Sequence, residues 1–440
     1  MQILSGFSKL GNTEKAEILK KNIPLSNEDM MLLSSFHESI RDIDGPIMGL
    51  SENYISNFVL PFCIAPNFAV NGKTYFVPMV TEESSVVAAA SNAAKFWAGN
   101  GGFEVSVAGT AKRGQIHFTW KGDISLIKSE FEILKKELTA SVKHLMESME
   151  KRGGGITDMV LTQGNADVQH LKTLNVDFET VDSMGANLIN SCLETMAGEL
   201  SGFIRRRFPG AGDDPEIILA ILSNYTPGCL TECRVECDVN RLAQVSAALT
   251  PEQFAAKFEK AVLIARNDIS RAVTHNKGIF NGIDAVLLAT GNDFRAVEAS
   301  GHAWAARDGT YRSLTDIDLT RKRFSYTLRI PLALGTVGGA ISVHPLAQLA
   351  LKILHDPPAT ELMKIVAAAG LASNFAAVTS LITGGIQAGH MKLHLNNILA
   401  HFNASKEEKA MAGKFFRNRH FSFSAVSGYL DTIRKPNEKT

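Results

Sequence analysis

The chain has 440 residues, too many for one ordinary hydrophobic core, and so predicts two or three domains. Its 45 basic and 45 acidic side chains cancel to a formal charge of zero, which argues against a nucleic-acid or membrane-surface partner and for a small, anionic ligand. Five cysteines, odd in number and sparse, fit a reducing compartment better than a disulfide framework.

No signal peptide is legible in Met1 to Lys21, and no uninterrupted apolar run reaches the length of a membrane span, so a soluble, cytoplasmic protein is expected. Leu25 to Ile43 has helical spacing, with N-cap chemistry in Ser26-Asn-Glu-Asp. From Tyr54 to Val80, short apolar runs separated by Pro61, Pro66, Asn71-Gly72 and Pro78 predict strands joined by tight turns. Gly72-Lys73-Thr74 resembles the end of a phosphate-binding loop, but the earlier glycine that loop requires is replaced by Asn67, which excludes a nucleoside triphosphate site.

Two carboxylates, Glu82 and Glu83, then precede an alanine-rich helix. They either complement the positive end of its dipole, or one of them carries a proton at neutral pH in an apolar site. Gly99-Asn-Gly-Gly102 reads as a hinge into another domain. Ala111 to Phe208 follows the order strand, helix, strand, strand, helix, which predicts a ferredoxin-like layer. Within it, Asp182-Ser-Met-Gly-Ala-Asn187 opens a helix, either as a plain turn or as a pyrophosphate site. The glycine fingerprint of a Rossmann fold is absent, so any dinucleotide must be held otherwise.

After the Gly/Pro/Asp-rich connector Pro209 to Pro215, Ile217 to Leu222 is expected to re-enter the first domain. Cys229, Cys233 and Cys237 recur every fourth residue, but lack a fourth ligand for a tetrahedral metal site, and no metal is expected. Pro251 to Arg271 is predicted helical. Lys277 and Asp293 flank an apolar run, each beside a glycine and an asparagine. The pair either meets in a cleft as a positive electrode for a developing oxyanion, or is a solvated lysine and a helix cap. Gly335-Thr-Val-Gly-Gly339 makes a turn into a helix containing His344, and Leu362 to Leu381 is a small-residue helix. His390 lies on a glycine-rich segment leading into a tail that reads as a mobile cap; His275, His344 and His394 have equal local claims as proton donors.

Five of these stretches, taken together and in order, resemble the class II, soluble 3-hydroxy-3-methylglutaryl-coenzyme A (HMG-CoA) reductases. They are Pro78-Met-Val-Thr-Glu-Glu-Ser-Ser, Asp182-Ser-Met-Gly-Ala-Asn, Thr274-His-Asn-Lys-Gly-Ile-Phe-Asn-Gly, Ala289-Thr-Gly-Asn-Asp-Phe-Arg-Ala-Val-Glu-Ala and Gly385-Ile-Gln-Ala-Gly-His-Met. The resemblance covers roughly residues 50–400. It implies catalytic residues at Glu83, Lys277, Asp293 and His390, substrate contacts at Ser85, Arg271, Asn281 and Asn374, and cofactor contacts at Asp182, Met184, Gly185, Ala186 and Asn187.

The implied activity is a two-step reduction of HMG-CoA to mevalonate and CoA by NADPH or NADH, in a homodimer or an assembly of dimers with the active site at the subunit interface. In that reaction Lys277 would stabilise an oxyanion, Asp293 would balance its charge, Glu83 would protonate an aldehyde oxygen and His390 a departing thiolate. Arg271 would hold the distal carboxylate of the substrate. Ser84, Phe294 and Ser373 depart from the family's pattern. The alignment places Met146 where members that prefer NADH carry an acid, which leans the cofactor toward NADPH.

The implied fold is α+β. A large, mostly helical substrate-binding domain (1–110 and 216–378) would carry an inserted ferredoxin-like, non-Rossmann NAD(P)-binding domain (111–215) and a C-terminal helical flap (379–440). The alternatives are the same fold running oxidatively in mevalonate degradation, or a CoA-ligand binding protein without catalysis.

Overall fold

The computed structural model describes residues 10–38, 58–165, 167–384, 398–416 and 421–434, together with Gly6, Leu395 and Arg419. Helices α1 (Asn12–Asn22) and α2 (Asn27–Glu38) lead in. Ser26 and Asp29 cap α2 reciprocally, the Ser26 amide donating to Asp29 Oδ2 at 2.7 Å and the Asp29 amide to Ser26 Oγ at 3.1 Å. Strands β1 (Phe62–Val70) and β2 (Lys73–Val80) form an antiparallel hairpin. Its turn residues Asn71 and Gly72 have φ of 46° and 81°, the left-handed pair that matches the twist of a two-residue hairpin.

Helix α3 (Ser84–Ala98) runs into the Gly99–Gly102 turn and then β3 (Glu104–Val107). The turn is not the expected hinge: it stays within the first body, where the Gly102 backbone lies so close to β1 that a Cβ there would sit 2.6 Å from the Ala69 carbonyl oxygen. The chain leaves that body a few residues later, across 108–110.

The second body is built from β4 (Ala111–Thr119), α4 (Ile124–Ser129), α5 (Phe131–Glu150), β5 (Gly155–Gln163), β6 (Leu171–Glu179), α6 (Ala186–Arg207) and β7 (Glu216–Leu222). Its strand order is β5-β6-β4-β7, every pair antiparallel, which is the ferredoxin-like order expected of this chain. The inward faces of α5 and α6 close one core with the sheet, including Phe118, Leu138, Phe178 and Phe203. A Cβ at Gly114 would meet Leu193 at 2.5 Å, so glycine on β4 lets α6 approach. The expected return to the first body at residue 216 comes too early, because β7 is the fourth strand of this sheet. Ile217, Ala220 and Leu222 pack on its core while Ile218, Leu219 and Ile221 face outward.

The chain returns through β8 (Leu230–Asp238), α7 (Pro251–Asn267), α8 (Ile269–Ala289), α9 (Phe294–Ala305), β9 (Thr315–Asp318), β10 (Arg323–Pro331), α10 (Pro345–Ile353) and α11 (Ala359–Ile382). A second antiparallel sheet, β3-β8-β10-β9, carries one face of the large core. Cys233 and Cys237 lie on the inward face of β8 and Cys229 just before it, all buried, since a period of four is twice the strand period. Burial pushes the Cys229 and Cys237 thiols up to about 11 and Cys233 well above the usual thiol range, so these are core residues.

The predicted helix from 251 to 271 breaks at Asp268, whose side chain caps α8 by accepting from the Arg271 amide at 2.8 Å. His344 does not sit inside a helix; it caps α10. Among the described helices α11 has the length and apolarity of a membrane span, and 72% of that window is buried inside the protein. It is the central core helix, clasped so closely by α8 that a Cβ at Gly282 would sit 2.3 Å from the Ala369 carbonyl oxygen. Because α11 continues to Ile382, the C-terminal segment starts later than residue 379. Helices α12 (Lys406–Phe415) and α13 (Phe423–Arg434) close a small aromatic core of their own, tied by Arg434 to Glu408 at 2.6 Å.

Between α8 and α9, Asp284 faces Glu298, and its Oδ1 is shut from solvent without a hydrogen-bond partner. Burial, then the Glu298 carboxylate, push Asp284 up to about 8. The folded protein therefore holds a proton that the unfolded chain releases near pH 4, and stability falls as pH rises through the window from about 4 to about 8. Asp284→Asn should raise the melting temperature at pH 8 and change it little at pH 5. An equal shift at both pH values would refute the assignment.

Candidate active site

Helix α8 presents Arg271, Thr274, Gly278 and Asn281 at helical spacing on one face, with Lys277 beside them. That face forms one wall of a cleft of about 920 Å3. Helix α3 supplies the opposite wall, from Ser85 to Phe96, and α11 the floor, from Ser373 to Leu381. Small residues on α3, notably Ala88, Ala89 and Ala93, leave the room.

The cleft brings together residues far apart in the chain. Glu83, at the N-cap of α3, places Oε2 3.4 Å from Lys277 Nζ, and Ser85 Oγ donates to Glu83 Oε1 at 2.8 Å. Glu83 makes no capping hydrogen bond with its side chain, so the dipole reading explains its position less well than the cleft does. The lysine side chain is 63% exposed and the glutamate 31%, which makes their attraction worth at most about 1 kcal/mol of fold stability. An ammonium left that open is available to a ligand.

A buried polar network fixes α8 from behind. His275 Nε2 and Thr315 Oγ1 are 2.7 Å apart, Tyr326 Oη lies 3.0 Å from Thr315 Oγ1 and donates to Asn374 Oδ1, and Asn374 Nδ2 donates to the His275 carbonyl at 2.7 Å. Asn374, expected to touch substrate, lines the cleft, and its Oδ1 and one Nδ2 hydrogen are engaged in this network in a residue that is 1% exposed. It positions the helix that carries Lys277. Burial, then the charge of Arg271, push His275 down to about 3, so it is a neutral structural imidazole and no proton donor at neutral pH. His390 and His394 lie outside the described residues.

Asp293 is not in this cleft. It caps α9, Oδ1 accepting from the amides of Arg295 at 3.1 Å and Ala296 at 3.2 Å. From Lys277 to Ala289 the chain is unbroken helix, and at 1.5 Å per residue that is about 18 Å, so within one protomer the two charges do not meet. The local sequence signal was for both roles; the helix length removes one of them inside a single chain.

The loop at Asp182–Gly185 ends at Gly185, whose φ of 72° turns the chain into α6 with no side chain capping the first amides. A Cβ there would meet Thr180 at 2.9 Å. The first turn of α6 carries no acid, and Asn187 is exposed. An uncapped, acid-free helix start is suited to an anionic diphosphate. Asp182 does not offer its carboxylate freely: Oδ1 accepts from the Ala359 amide at 2.7 Å at the start of α11, and its carbonyl from the Thr336 amide at 2.8 Å. Asp182 thus docks the loop onto the large body. Met146, aligned with a cofactor-selecting position, is 1% exposed in the core of the second body and faces no ligand. Asn92 and Lys95 also line the cleft, and sequence reading passed over them; their spacing of seven and ten residues from Ser85 along α3 was the signal.

The sequence matches the family model described as hydroxymethylglutaryl-coenzyme A reductase over residues 12–395. It is 36% identical over 406 residues to the 3-hydroxy-3-methylglutaryl-coenzyme A reductase of Archaeoglobus fulgidus, covering 92% of this chain and 88% of that protein. A probable reductase of the same name from Borreliella burgdorferi is 34% identical over 443 residues, covering 100% of this chain and 97% of that one. The class II enzyme of Streptococcus pneumoniae, solved bound to NADPH in open conformations, superposes with a TM-score of 0.78 at 36% identity, over 86% of this chain and 99% of that one. With this sequence, this fold and this cleft, the chain belongs to the hydroxymethylglutaryl-coenzyme A reductase family, in its class II form.

Proposed function

We propose that this protein reduces HMG-CoA to mevalonate and CoA with NADPH, and that Glu83, Lys277, Asp293 and His390 carry the chemistry. The observation that carries the reading is the Glu83–Lys277 pair at 3.4 Å in the cleft. Lys277 sits where an ammonium can stabilise the oxyanion that forms when the thioester carbonyl, and later the aldehyde, is reduced. Glu83, held by Ser85 and Lys277, would exchange a proton with that oxygen. Arg271, six residues before Lys277 on the same helix, supplies a guanidinium for the distal carboxylate, and Asn281 a further polar contact. His390, in the segment after α11 that we assign as the flap, would protonate the departing thiolate.

The second body, 111–222, is the cofactor module in this reading. The backbone of Met184, Gly185, Ala186 and Asn187 at the start of α6 would hold the diphosphate of the nicotinamide nucleotide. The bound cofactor supplies the hydride in each reduction. The NADPH-bound relative favours NADPH over NADH. The ratio of kcat/KM for the two cofactors should favour NADPH, and a large preference for NADH would reverse this assignment.

The distance along α8 between Lys277 and Asp293 supports a homodimer in which each active site takes Asp293 from the neighbouring copy. Free, unpaired cysteines fit a cytoplasmic enzyme. The decisive experiment adds HMG-CoA and NADPH to the purified protein and follows loss of cofactor absorbance, with mevalonate identified as product. No cofactor oxidation in either direction, including from mevalonate, CoA and oxidised cofactor, would defeat the proposal.

A further inference from the structure

Lys112 is the one lysine on β4 that points inward: it is 1% exposed, and its ammonium lies directly under the loop that opens α6. Nζ donates to Thr180 Oγ1, to the Ser183 carbonyl at 3.0 Å and, at 3.5 Å, to the Thr110 carbonyl. Thr180 Oγ1 donates to the same Ser183 carbonyl at 2.7 Å. Glu179 closes the other side, its Oε1 accepting from Thr110 Oγ1 at 2.5 Å and from the Val181 amide at 2.7 Å. Between these anchors Val181 is held at φ 53°, a left-handed conformation that a β-branched residue rarely adopts. A strained valine and a left-handed Gly185 four residues on form one loop shape, and Lys112 is at its centre.

A buried ammonium is a costly way to fasten a loop. The ionisable groups facing Lys112 are the Cys229 thiol and the Glu179 carboxylate, and among the described residues no carboxylate comes within ion-pairing distance of Nζ. A neutral donor would satisfy the same carbonyls without desolvating a charge. What the charge adds is direction. The ammonium holds the carbonyl end of the Ser183–Met184 peptide inward, and because that peptide is planar and trans, the Met184 amide on its other side is turned away from the lysine. The positive charge also lies beneath the positive end of α6, where it adds to the field an anion meets.

We propose that Lys112 is a positioning residue for the nicotinamide cofactor: it fixes the Thr180–Gly185 loop in its strained shape and places a buried positive charge under the diphosphate site. The assignment rests on the reading of 184–187 as that site. It predicts a selective effect on the cofactor. In the full-length enzyme, Lys112→Met should raise the Kd for NADPH, read by cofactor fluorescence, and the KM for NADPH, each by about tenfold, the equivalent of one charge-assisted hydrogen bond. The KM for HMG-CoA should stay within about twofold. A lysine that served stability alone would give the opposite split, a lower melting temperature with cofactor constants unchanged, and that result overturns the inference. Lys112→Gln keeps a hydrogen-bond donor and removes the charge; if Lys112→Met does not fold, an unchanged NADPH Kd in Lys112→Gln is equally fatal. If the wild-type protein binds neither NADPH nor NADH, the cofactor site itself is misassigned, an outcome distinct from wild-type binding that Lys112→Met leaves intact.

Discussion

Lys277→Ala should lower kcat/KM for HMG-CoA by on the order of a thousandfold or more and do the same for free mevaldehyde, while the fold stays intact. Each reduction places negative charge on a former carbonyl oxygen, and removing one preorganised oxyanion donor already costs about a hundred- to a thousandfold in other enzymes. Here the lost donor carries a full charge. Its loss also removes the cation that faces the Glu83 carboxylate beside the developing oxyanion. Stability is another matter, because the Lys277 side chain is 63% exposed and its ion pair with Glu83 is solvated, so unfolding free energy should move by no more than about 1 kcal/mol. Steady-state kinetics with both substrates and a thermal melt of the same preparation test this. A variant that keeps more than a tenth of wild-type activity would remove Lys277 from the chemistry.

The second large effect comes from the separation of Lys277 and Asp293. Lys277→Ala and Asp293→Ala should each be inactive as homodimers, yet a hybrid with one copy of each should recover about half of wild-type activity, since one of its two shared sites is assembled from intact residues. If both groups came from one chain, each site of the hybrid would be defective and nothing would be regained. Differently tagged variants, co-expressed and purified through both tags, make the comparison direct. Asp293→Ala also removes an N-cap, so some loss of stability, about 1 kcal/mol, should accompany it. Asp293→Asn keeps much of the capping and is the control that separates the two roles.

The difference between these cases follows from what each kind of evidence can reach. The chemistry-bearing residue types, the small-residue helix after Glu83 and the ferredoxin-like alternation of strand and helix in the second body were legible in the sequence, since they depend on local periodicity and turn chemistry. So was Asp293 as a cap. Three things were not. The apolar run at Ile217 to Leu222 reads the same whether it returns to the first core or completes the second sheet, and only its pairing with β4 decided. Asn374 carries an amide that gives no sign, in the sequence, that it locks His275 and Tyr326 behind α8 as well as lining the cleft. Lys112 looks like any lysine on an alternating strand until the loop from Thr180 folds over it.

By itself the sequence determined which groups the protein has for chemistry, but it ended a helix at Arg271 and left Lys277 beyond it, where the structure has both on α8. The tertiary structure alone decided which of those groups meet. Glu83 and Lys277 are 194 residues apart and come within 3.4 Å, whereas Lys277 and Asp293 are 16 apart and are separated by a rigid helix. The physical reason is that a helix fixes distance along its axis regardless of charge, while packing of α3 against α8 and α11 is set by buried apolar area and close glycine contacts, which no local pattern specifies.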